Sequence, residues 1–588
     1  MNFLKNTLAS ILGVLIASGI LFIIFFVFIA IAGTAEEDSI SVRNNSVLDL
    51  KFNAPLKDYG GAYHFSDIEY SFEKYDGLNH VLNAIEKAKE DPKIEGISIS
   101  NSFLMAGIAQ TKAIRDALID FKTSGKFVYA YSDYYAQKDY YLASVADSIF
   151  LNPSGELLFR GLAAEVLFFK DFQEKSGIKM EVVRHGKYKS AVEPFLDDKM
   201  SDANREQLYA LLTSVWGSVL DDIAESRNLS VEELNTIADE LLGRSPKLAK
   251  TAKLIDEVAY YDEYEIVLKN AIGLSEDEDI NYVKLEDYAE YAYKKFKSGK
   301  KDKIAVIYAQ GDILYGEGNN DYIGQGIIVK SLKEAREDTN VKAIVLRVNS
   351  PGGSALTSEI IWRELEITKN YKPLVVSMGN LAASGGYYIA LSGQKIFAEP
   401  STITGSIGVF GTLPNFKGLA DKLGINSEQV VTNKQAIGYT PFEPLSDAFY
   451  NETKENVNEI YNTFIKRVAD ARNLSVASVD SIAQGRVWSG IDAKQIGLID
   501  EIGGLDDAIA AAANFGEVAE YRIKNYPVYK TSIEEVIDRL FGIQMSKSKT
   551  TILKEELGAE GYELLRTIQA FAKQKGIQAR IPYELNIK

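Results

Sequence analysis

Ser384 is the first residue whose setting could support chemistry. It follows an apolar run, Pro373–Val376, that predicts a buried strand, and it precedes Tyr387–Leu391, an apolar segment of helical length. At a strand-to-helix junction the free N–H groups of the helix point outward, and the helix dipole favours negative charge. A serine oxygen that attacks a carbonyl needs such donors, because an oxyanion forms. A helix N-cap, for which serine is a favoured residue, is the structural alternative.

The two halves of the chain resemble each other. Tyr140–Ala143 matches Tyr387–Ala390 at an offset of 247, and Leu254–Glu257 matches Leu498–Glu501 at an offset of 244. In both halves, strand-like apolar runs alternate with amphipathic helical runs, which predicts α/β units with a mostly parallel sheet. We therefore predict a tandem duplication of one α/β domain, joined at the charged stretch Lys294–Lys303.

Ser384 and the glycine-rich loops occur only in the second half. At the offset of 247, Ser384 corresponds to Gln137, and the upstream Pro351-Gly352-Gly353 corresponds to Leu104-Met105-Ala106. A Gly-Gly turn after a strand brings bare N–H groups close to a ligand, since no Cβ intervenes. The N–H of Gly385, with one from Gly352 or Gly353, would make a two-donor oxyanion hole. A tight β-to-α turn is the structural alternative for these glycines.

The base that would activate Ser384 has to come from elsewhere in the chain. A Ser–His–Asp triad contained within the second half is impossible, because all three histidines lie in the first half: His64, His80 and His185. The remaining base for a hydroxyl is a lysine whose pKa is lowered by burial. Two candidates are Lys187 and Lys189. Lys189 corresponds to Ala436, whereas Lys187 corresponds to Lys434, as a structural position shared by both halves would.

Composition excludes several classes of function. The 588 residues carry a net charge of −17, and no basic stripe interleaved with aromatic residues stands out, which argues against a nucleic-acid partner. The chain has no cysteine, so thiol catalysis, disulfides and cysteine-based zinc sites are excluded. No metal site and no cofactor is expected.

The N-terminus predicts a membrane anchor. Thirty consecutive uncharged residues lie between Lys5 and Glu36. A membrane-spanning helix needs ~20 apolar residues, whereas the core of a cleavable signal has only ~7–15. We therefore expect an uncleaved anchor near Thr7–Ala32, with cleavage after Ala30-Ile31-Ala32 as the alternative. Lys5 before the span predicts a cytoplasmic N-terminus and a large body outside the cytoplasm.

Two long motifs, residues 187–195 (KYKSAVEPF) and 380–388 (NLAASGGYY), resemble those of a known family. It is the long, two-domain bacterial form of the signal peptide peptidase A family, membrane serine proteases of peptidase family S49. Residues 349–354 (NSPGGS) and 404–408 (TGSIG) match it as well. The resemblance implies a tandem Clp-protease/crotonase-like fold and a catalytic dyad of Ser384 and Lys189. It also implies an oxyanion hole from Gly352, Gly353 and Gly385, and a lysine-orienting role for Ser406.

The resemblance also implies a domain plan and a biological setting. The expected parts are an anchor at 1–35, a lysine-bearing repeat at 45–295, a serine-bearing repeat at 302–525 and a helical extension at 526–588. The implied protein is a homo-oligomer, a tetramer, in the bacterial cytoplasmic membrane with its bulk on the periplasmic side. It would degrade remnant signal peptides and contact lipid through its anchor. A non-catalytic membrane scaffold of the same fold, and an acyl-CoA enzyme of the crotonase type, are the alternatives.

Overall fold

The computed structural model of the chain describes residues 5, 12–14, 16–20, 40–65, 71–101, 103–531 and 577–580. The expected anchor at 1–35 lies mostly outside these residues. In the part of the chain that the structure describes, no helix combines the length and apolarity that a membrane crossing requires. The helical extension expected at 526–588 lies largely outside them too, and its described residues lie mainly in strands.

The first half builds one parallel sheet with helices around it. Its strand order is β8-β6-β5-β4-β1-β9. The strands of this half are β1 Ser46–Leu50, β2 Ala62–Phe65, β3 Ser71–Glu73, β4 Ile94–Ile99, β5 Phe127–Tyr135, β6 Ser148–Leu157, β7 Lys179–His185, β8 Glu257–Val258 and β9 Asn281–Lys284. The helices are α1 Leu78–Glu90, α2 Ile108–Lys122, α3 Gln137–Ala143, α4 Lys170–Ser176, α5 Glu193–Leu196, α6 Asp202–Arg227, α7 Val231–Asp239, α8 Pro246–Thr251, α9 Tyr261–Ala271 and α10 Leu285–Lys295, with a 3₁₀ turn at Ser190–Val192.

The second half repeats this plan. Its main sheet has the order β19-β17-β15-β13-β10-β21, with β16 and β20 attached to β15. The strands are β10 Lys303–Gln310, β11 Asp312–Ile313, β12 Tyr322–Ile323, β13 Val341–Ser350, β14 Gly352–Ser354, β15 Leu374–Ala383, β16 Lys395–Ala398, β17 Ile403–Gly405, β18 Val409–Asn415, β19 Val487–Ser489, β20 Glu501–Ile502, β21 Arg522–Tyr526, β22 Val528–Thr531 and β23 Ile577–Arg580. The helices are α11 Gln325–Glu337, α12 Ala355–Thr368, α13 Gly385–Ala390, α14 Lys417–Lys422, α15 Asp447–Arg472, α16 Val476–Ile482, α17 Gly490–Gln495 and α18 Leu505–Phe515.

The central strands are buried on both sides over most of their length because helices cover both faces of the sheet. Residues 343–346 of β13 and 374–378 of β15 are buried without alternation, and the two strands pair in parallel. This is the pattern expected of a doubly covered parallel sheet. It holds the last residue of β15, Ala383, in a fixed position immediately before Ser384.

The tandem duplication predicted from the sequence is confirmed at the level of helix caps. Helices α6 and α15 both have 26 residues, and both begin at a serine, Ser201 or Ser446, whose side chain accepts a backbone N–H. Both end at an asparagine in the left-handed conformation, Asn228 or Asn473. Serine at the N-cap and asparagine at the helix end satisfy terminal groups that the helix itself leaves unpaired.

The two halves are joined by a shared sheet. Its order is β12-β11-β14-β23-β18-β7, so β7 of the first half pairs with β18 of the second. That pair is antiparallel and runs from Val409 opposite His185 to Asn415 opposite Lys179. A buried ion pair also connects the halves, with Arg347 Nε donating to Asp58 Oδ2 at 2.8 Å. The chain that follows β7 is therefore held against the second half.

Candidate active site

Ser384 lies at a sharp strand-to-helix turn. It is the N-cap of α13, directly after β15, and its backbone is in an unusual conformation with φ 54° and ψ −115°. A non-glycine residue at positive φ is strained and persists only where its surroundings fix it. The Ser384 N–H donates to the Gly405 carbonyl at 2.8 Å, which fixes the turn. The serine predicted from the sequence thus sits on a strained turn that its neighbours hold in place.

Lys189 of the first half reaches this hydroxyl. It lies just after β7 and precedes the 3₁₀ turn at Ser190–Val192, and both Lys189 and Ser384 have 0% exposure. The Lys189 Nζ is 2.9 Å from Ser384 Oγ. It is also 3.0 Å from Ser406 Oγ and 3.1 Å from the Ser406 carbonyl oxygen. The structure therefore brings together Ser384, Lys189 and Ser406, which are 217 residues apart at most.

Lys189 is an amine poised to lose its proton. Burial lowers the pKa of Lys189 well below its ordinary value, because removal from water disfavours the charged form. No carboxylate of the described residues pairs with it. A neutral amine has two N–H donors and one lone pair, which match the three partners around Nζ. The two donors suit the Ser406 oxygens, and the lone pair suits the Ser384 hydroxyl.

The other lysine candidate, Lys187, does not lie in the site. Lys187 is exposed, and its Nζ lies over the ring of Tyr188, 4.9 Å from the ring centroid. It makes no contact with Ser384 or Ser406 among the interactions of the described residues. Lys187 and Lys189 are only two positions apart in the sequence, yet one is exposed and the other is buried. Their different environments come from the fold.

Two glycines that the sequence reasoning did not single out as site residues shape the lysine channel. A Cβ on Gly485 would lie 2.6 Å from Lys189 Cβ and from Lys189 N, and a Cβ on Gly408 would lie 3.1 Å from Lys189 Cδ. The Tyr188 N–H donates to the Gln484 carbonyl at 2.8 Å. Gly408 lies in the 404–408 motif, whereas nothing in the sequence marks Gly485, which is 296 positions from Lys189. Glycine is required here because the lysine backbone passes at contact distance.

We expect Gly485→Ala to reduce kcat/KM by about tenfold or more, because the added methyl group displaces Lys189. Gly485 has φ +84°, so the change also strains the backbone by about 1–3 kcal/mol. Gly497→Ala is the matched control, since Gly497 has φ +80° and open space around its Cα. Peptide hydrolysis and thermal unfolding should be measured for both variants. Equal loss of activity in the two would contradict a role of Gly485 in placing Lys189.

The predicted oxyanion glycines lie beside the start of α13. Gly352 and Gly353 form β14 with φ 99° and 151°, and β14 packs against α13. A Cβ on Gly386 would lie 2.7 Å from the Ser350 carbonyl, so the loop and the helix start touch. The Gly352 N–H donates to Ser350 Oγ at 3.1 Å. Gly385 is the first residue of α13, a position whose N–H has no partner within the helix.

The corresponding place in the first half is closed. The Gln137 Oε1 accepts the N–H groups of Arg160 at 2.9 Å and Gly161 at 3.0 Å. Asp139, at the position of Gly386, accepts the N–H groups of Phe103 and Leu104, each at 2.8 Å. A buried carboxylate thus engages the backbone at Phe103 and Leu104, the counterparts of Ser350 and Pro351. The first half therefore fills this place with a side chain where the second half has glycines.

An extended segment of the same chain pairs with two strands next to the candidate site. Strand β23 pairs antiparallel with β14, with Gly353 opposite Ala579, and with β18, with Phe410 opposite Gln578. The Phe410 ring centroid is 5.9 Å from Lys189 Nζ, and the Gly408 carbonyl is 3.4 Å from Ser384 Oγ. The two strands that flank β23 therefore also border the serine and the lysine.

Comparisons with known proteins identify relatives of both halves of the chain. The family profile described as "Peptidase family S49" matches residues 120–275 and 366–519, once in each half. "Protease 4" of Salmonella typhi is 38% identical over 475 residues, which cover 79% of this chain and 76% of that protein. "Protease 4" of Haemophilus influenzae is 37% identical and covers 74% of this chain and 72% of that protein. "Serine protease SPPA, chloroplastic" of Arabidopsis thaliana is 33% identical, and the match covers 80% of this chain and 69% of that protein.

The duplicated α/β fold and these relatives define a serine peptidase. The chain belongs to peptidase family S49, in the long form of signal peptide peptidase A that carries the domain twice. The family and the enzyme class inferred from the two motifs are thereby confirmed. The likeness of each repeat to the Clp-protease and crotonase fold stays a prediction.

Proposed function

We propose that this peptidase is a membrane-anchored endopeptidase in which Ser384 is the nucleophile and Lys189 the general base. The observation that carries the proposal is the 2.9 Å separation of Lys189 Nζ and Ser384 Oγ in a fully buried site. A lysine can serve as a base only when it is neutral, and burial favours that state. Ser406 is the positioning residue that holds the amine, through its hydroxyl and its carbonyl.

The reaction would proceed in two halves. The neutral Lys189 amine takes the hydroxyl proton of Ser384 as its oxygen bonds to the scissile carbonyl carbon. The resulting oxyanion is held by the N–H of Gly385 and by one N–H from the loop of Gly352 and Gly353. The Lys189 ammonium then gives its proton to the leaving amine as the C–N bond breaks. Lys189 then takes a proton from water as the water oxygen bonds to the acyl carbon, and the Lys189 ammonium returns that proton to Ser384 Oγ as the ester bond breaks.

The proposed substrate is an extended peptide, and specifically a signal peptide left in the membrane after export. Support for an extended peptide comes from β23, which lies antiparallel between β14 and β18. Backbone pairing of this kind binds a peptide largely independently of its sequence. Support for a membrane substrate comes from the 30 uncharged residues between Lys5 and Glu36. We propose that this span anchors the enzyme in the bacterial cytoplasmic membrane, with its body outside the cytoplasm.

The two alternative functions fit the observations less well. A non-catalytic scaffold has no need for a strained serine or for a buried lysine that no carboxylate of the described residues pairs with, and both lower the free energy of unfolding. An acyl-CoA enzyme would use backbone donors, but it has no use for a serine nucleophile. The relatives from Salmonella typhi, Haemophilus influenzae and Arabidopsis thaliana all carry the name of a protease. Peptide hydrolysis is therefore the activity that the site supports best.

We expect the purified full chain, in detergent, to cleave a synthetic signal peptide and a casein-type substrate. The signal peptide should be cleaved at internal bonds, because backbone pairing of the kind that β23 makes with β14 and β18 requires no chain end. Mass spectrometry of the products gives the cleaved bonds. A folded preparation that cleaves neither substrate would contradict the proposal, and release of single terminal residues would contradict endopeptidase action.

A further inference from the structure

Lys189 is the central residue of a tight backbone turn. Its backbone has φ −77° and ψ 68°, and the Ser190 N–H donates to the Tyr188 carbonyl at 2.8 Å. These are the angles and the hydrogen bond of an inverse γ-turn. Because a single backbone hydrogen bond closes such a turn, contacts from outside it decide how firmly Lys189 is held.

One buried amide binds both ends of this turn. Gln207 of α6 is 0% exposed, and its Nε2 donates to the Tyr188 carbonyl at 3.0 Å and to Ser190 Oγ at 3.2 Å. A third contact of Nε2, with Asn204 Oδ1 at 3.2 Å, lies within α6. The Ser190 hydroxyl in turn donates to the Tyr188 carbonyl at 3.2 Å. The residues on both sides of Lys189 are therefore tied to each other and to the same side chain.

The oxygen of the same amide reaches the second half of the chain. The Val487 N–H donates to Gln207 Oε1 at 3.3 Å. Val487 begins β19, which pairs antiparallel with β17. The residue before it, Arg486, accepts the Ser406 N–H at its carbonyl, at 2.7 Å. Gln207 thus connects the turn that carries Lys189 to the segment that holds Ser406.

This connection bears on the catalytic geometry because Ser406 is a partner of the amine. The Lys189 Nζ lies 3.0 Å from Ser406 Oγ and 2.9 Å from Ser384 Oγ. A lysine side chain is long and flexible, so its amine is well placed only when both its backbone and its partners are fixed. A misplacement of about 1 Å in a reacting group can lower a rate by about 10²-fold. Gln207 holds the lysine backbone with one end and the Ser406 segment with the other.

We propose that Gln207 is a positioning residue of this peptidase and that it acts on hydrolysis through Lys189. The inference rests on the proposed function, since it requires Lys189 to be the base. The contacts of Gln207 described above join the lysine turn, α6 and β19, and none of them lies on β14 or β18, the strands that flank β23. Loss of this amide should therefore lower kcat and leave KM nearly unchanged.

Gln207→Met in the full chain tests this role, because methionine fills a similar space and makes none of these hydrogen bonds. We expect kcat per active site to fall by about tenfold or more, with KM within about threefold of the unchanged chain. Active sites are counted by complete labelling of Ser384 with a serine-reactive phosphonate. The matched control is Gln173→Met, which should retain kcat. Gln173 is also a buried amide that bridges backbone groups, the Phe195 carbonyl at 2.7 Å and the Met180 N–H at 2.6 Å.

A double substitution shows whether Gln207 acts through the lysine. In a Lys189→Met chain, the further change Gln207→Met should alter the residual rate of phosphonate labelling by less than about twofold, because the group that Gln207 positions is gone. A residue with a purely structural role would lower the rate by the same factor in both backgrounds. Equal factors, or an unchanged kcat in Gln207→Met, would overturn the inference. A fully active Lys189→Met chain would instead overturn the proposed function.

Ser190→Ala gives a second test that leaves α6 unchanged. It removes the hydroxyl that accepts from Gln207 Nε2 and donates to the Tyr188 carbonyl. We expect kcat to fall by about threefold or more, as for the loss of one or two buried hydrogen bonds, and the fall should again disappear in the Lys189→Met background. This variant decides the matter if Gln207→Met fails to fold. An unchanged kcat in folded Ser190→Ala would contradict the role of the amide.

Discussion

Ser384→Ala should lower the rate of peptide hydrolysis by about 10⁴-fold or more, which is roughly 5 kcal/mol or more of transition-state stabilisation. The reason is that the variant lacks the oxygen that attacks the substrate, and water has no equivalent position next to Lys189. The measurement is kcat/KM on a synthetic signal peptide, with circular dichroism and thermal unfolding as checks of folding. The small loss of volume should leave the fold intact, since alanine keeps the backbone N–H that donates to the Gly405 carbonyl and fixes the turn.

The matched control is Gln137→Ala at the corresponding position of the first half. Gln137 hydrogen-bonds only to the 160–161 loop among the interactions of the described residues. Activity in this variant should stay within a few-fold of the unchanged chain. A Ser384→Ala protein that still hydrolyses peptide, or a Gln137→Ala protein whose activity falls a hundredfold, would show that the wrong half has been assigned as the active one.

Lys189→Met should lower kcat by about 10³-fold or more, because the base that deprotonates the serine is gone. Methionine is unbranched and fills the lysine channel between Gly408 and Gly485 without a charge. The matched control is Lys187→Met, two residues away and exposed, which should retain activity. If both substitutions lower kcat equally, the loss of activity would reflect a change in the segment as a whole rather than removal of the Lys189 amine.

The pH profile of the unchanged enzyme follows from the same amine. Only the neutral form of Lys189 accepts the serine proton, so activity rises with pH as the amine deprotonates and then reaches a plateau. Burial lowers the pKa of Lys189, so the rise should lie well below the ~10.4 of a free lysine. kcat should be measured across the alkaline range. A rise centred near the free-lysine value would contradict a buried base.

Stability should depend on pH with a defined sign. Between the lowered pKa of Lys189 and the ~10.4 of the unfolded chain, the unfolded state binds the proton and the folded state does not. The stability of the unchanged chain therefore increases with pH in that window, whereas this contribution is absent from Lys189→Met. The melting temperature of the unchanged chain, relative to the variant, should rise across that window.

Much of the site could be read from the sequence because the repeat supplies its own comparison. Ser384 and the Pro-Gly-Gly loop stand out as differences between two otherwise similar halves. Lys189 stands out in the same way, because the second half has Ala436 at the corresponding position. Alternation of apolar runs likewise predicts the buried strands, since a doubly covered sheet leaves no polar face. Differences between the two repeats are informative because residues that both repeats need for the same fold are expected to be alike in both.

The remaining features depend on contacts between distant segments and could not be read in this way. Gly485 has no local signal, because its requirement comes from the backbone of Lys189 passing beside it. The same holds for β23, which follows the end of the repeat and pairs with β14 and β18. Nor does the sequence show which of Lys187 and Lys189 is buried, since the turn after β7 decides it.

The central claim is that Ser384 is the nucleophile and that Lys189 activates it. Labelling of the full chain with a serine-reactive phosphonate, followed by peptide mapping, tests both parts at once. The label should appear on Ser384 in the unchanged, Gln137→Ala and Lys187→Met chains. It should be absent from Ser384→Ala and slowed by about 10³-fold in Lys189→Met. Label on a different serine, or undiminished labelling of the Lys189→Met chain, would contradict the account.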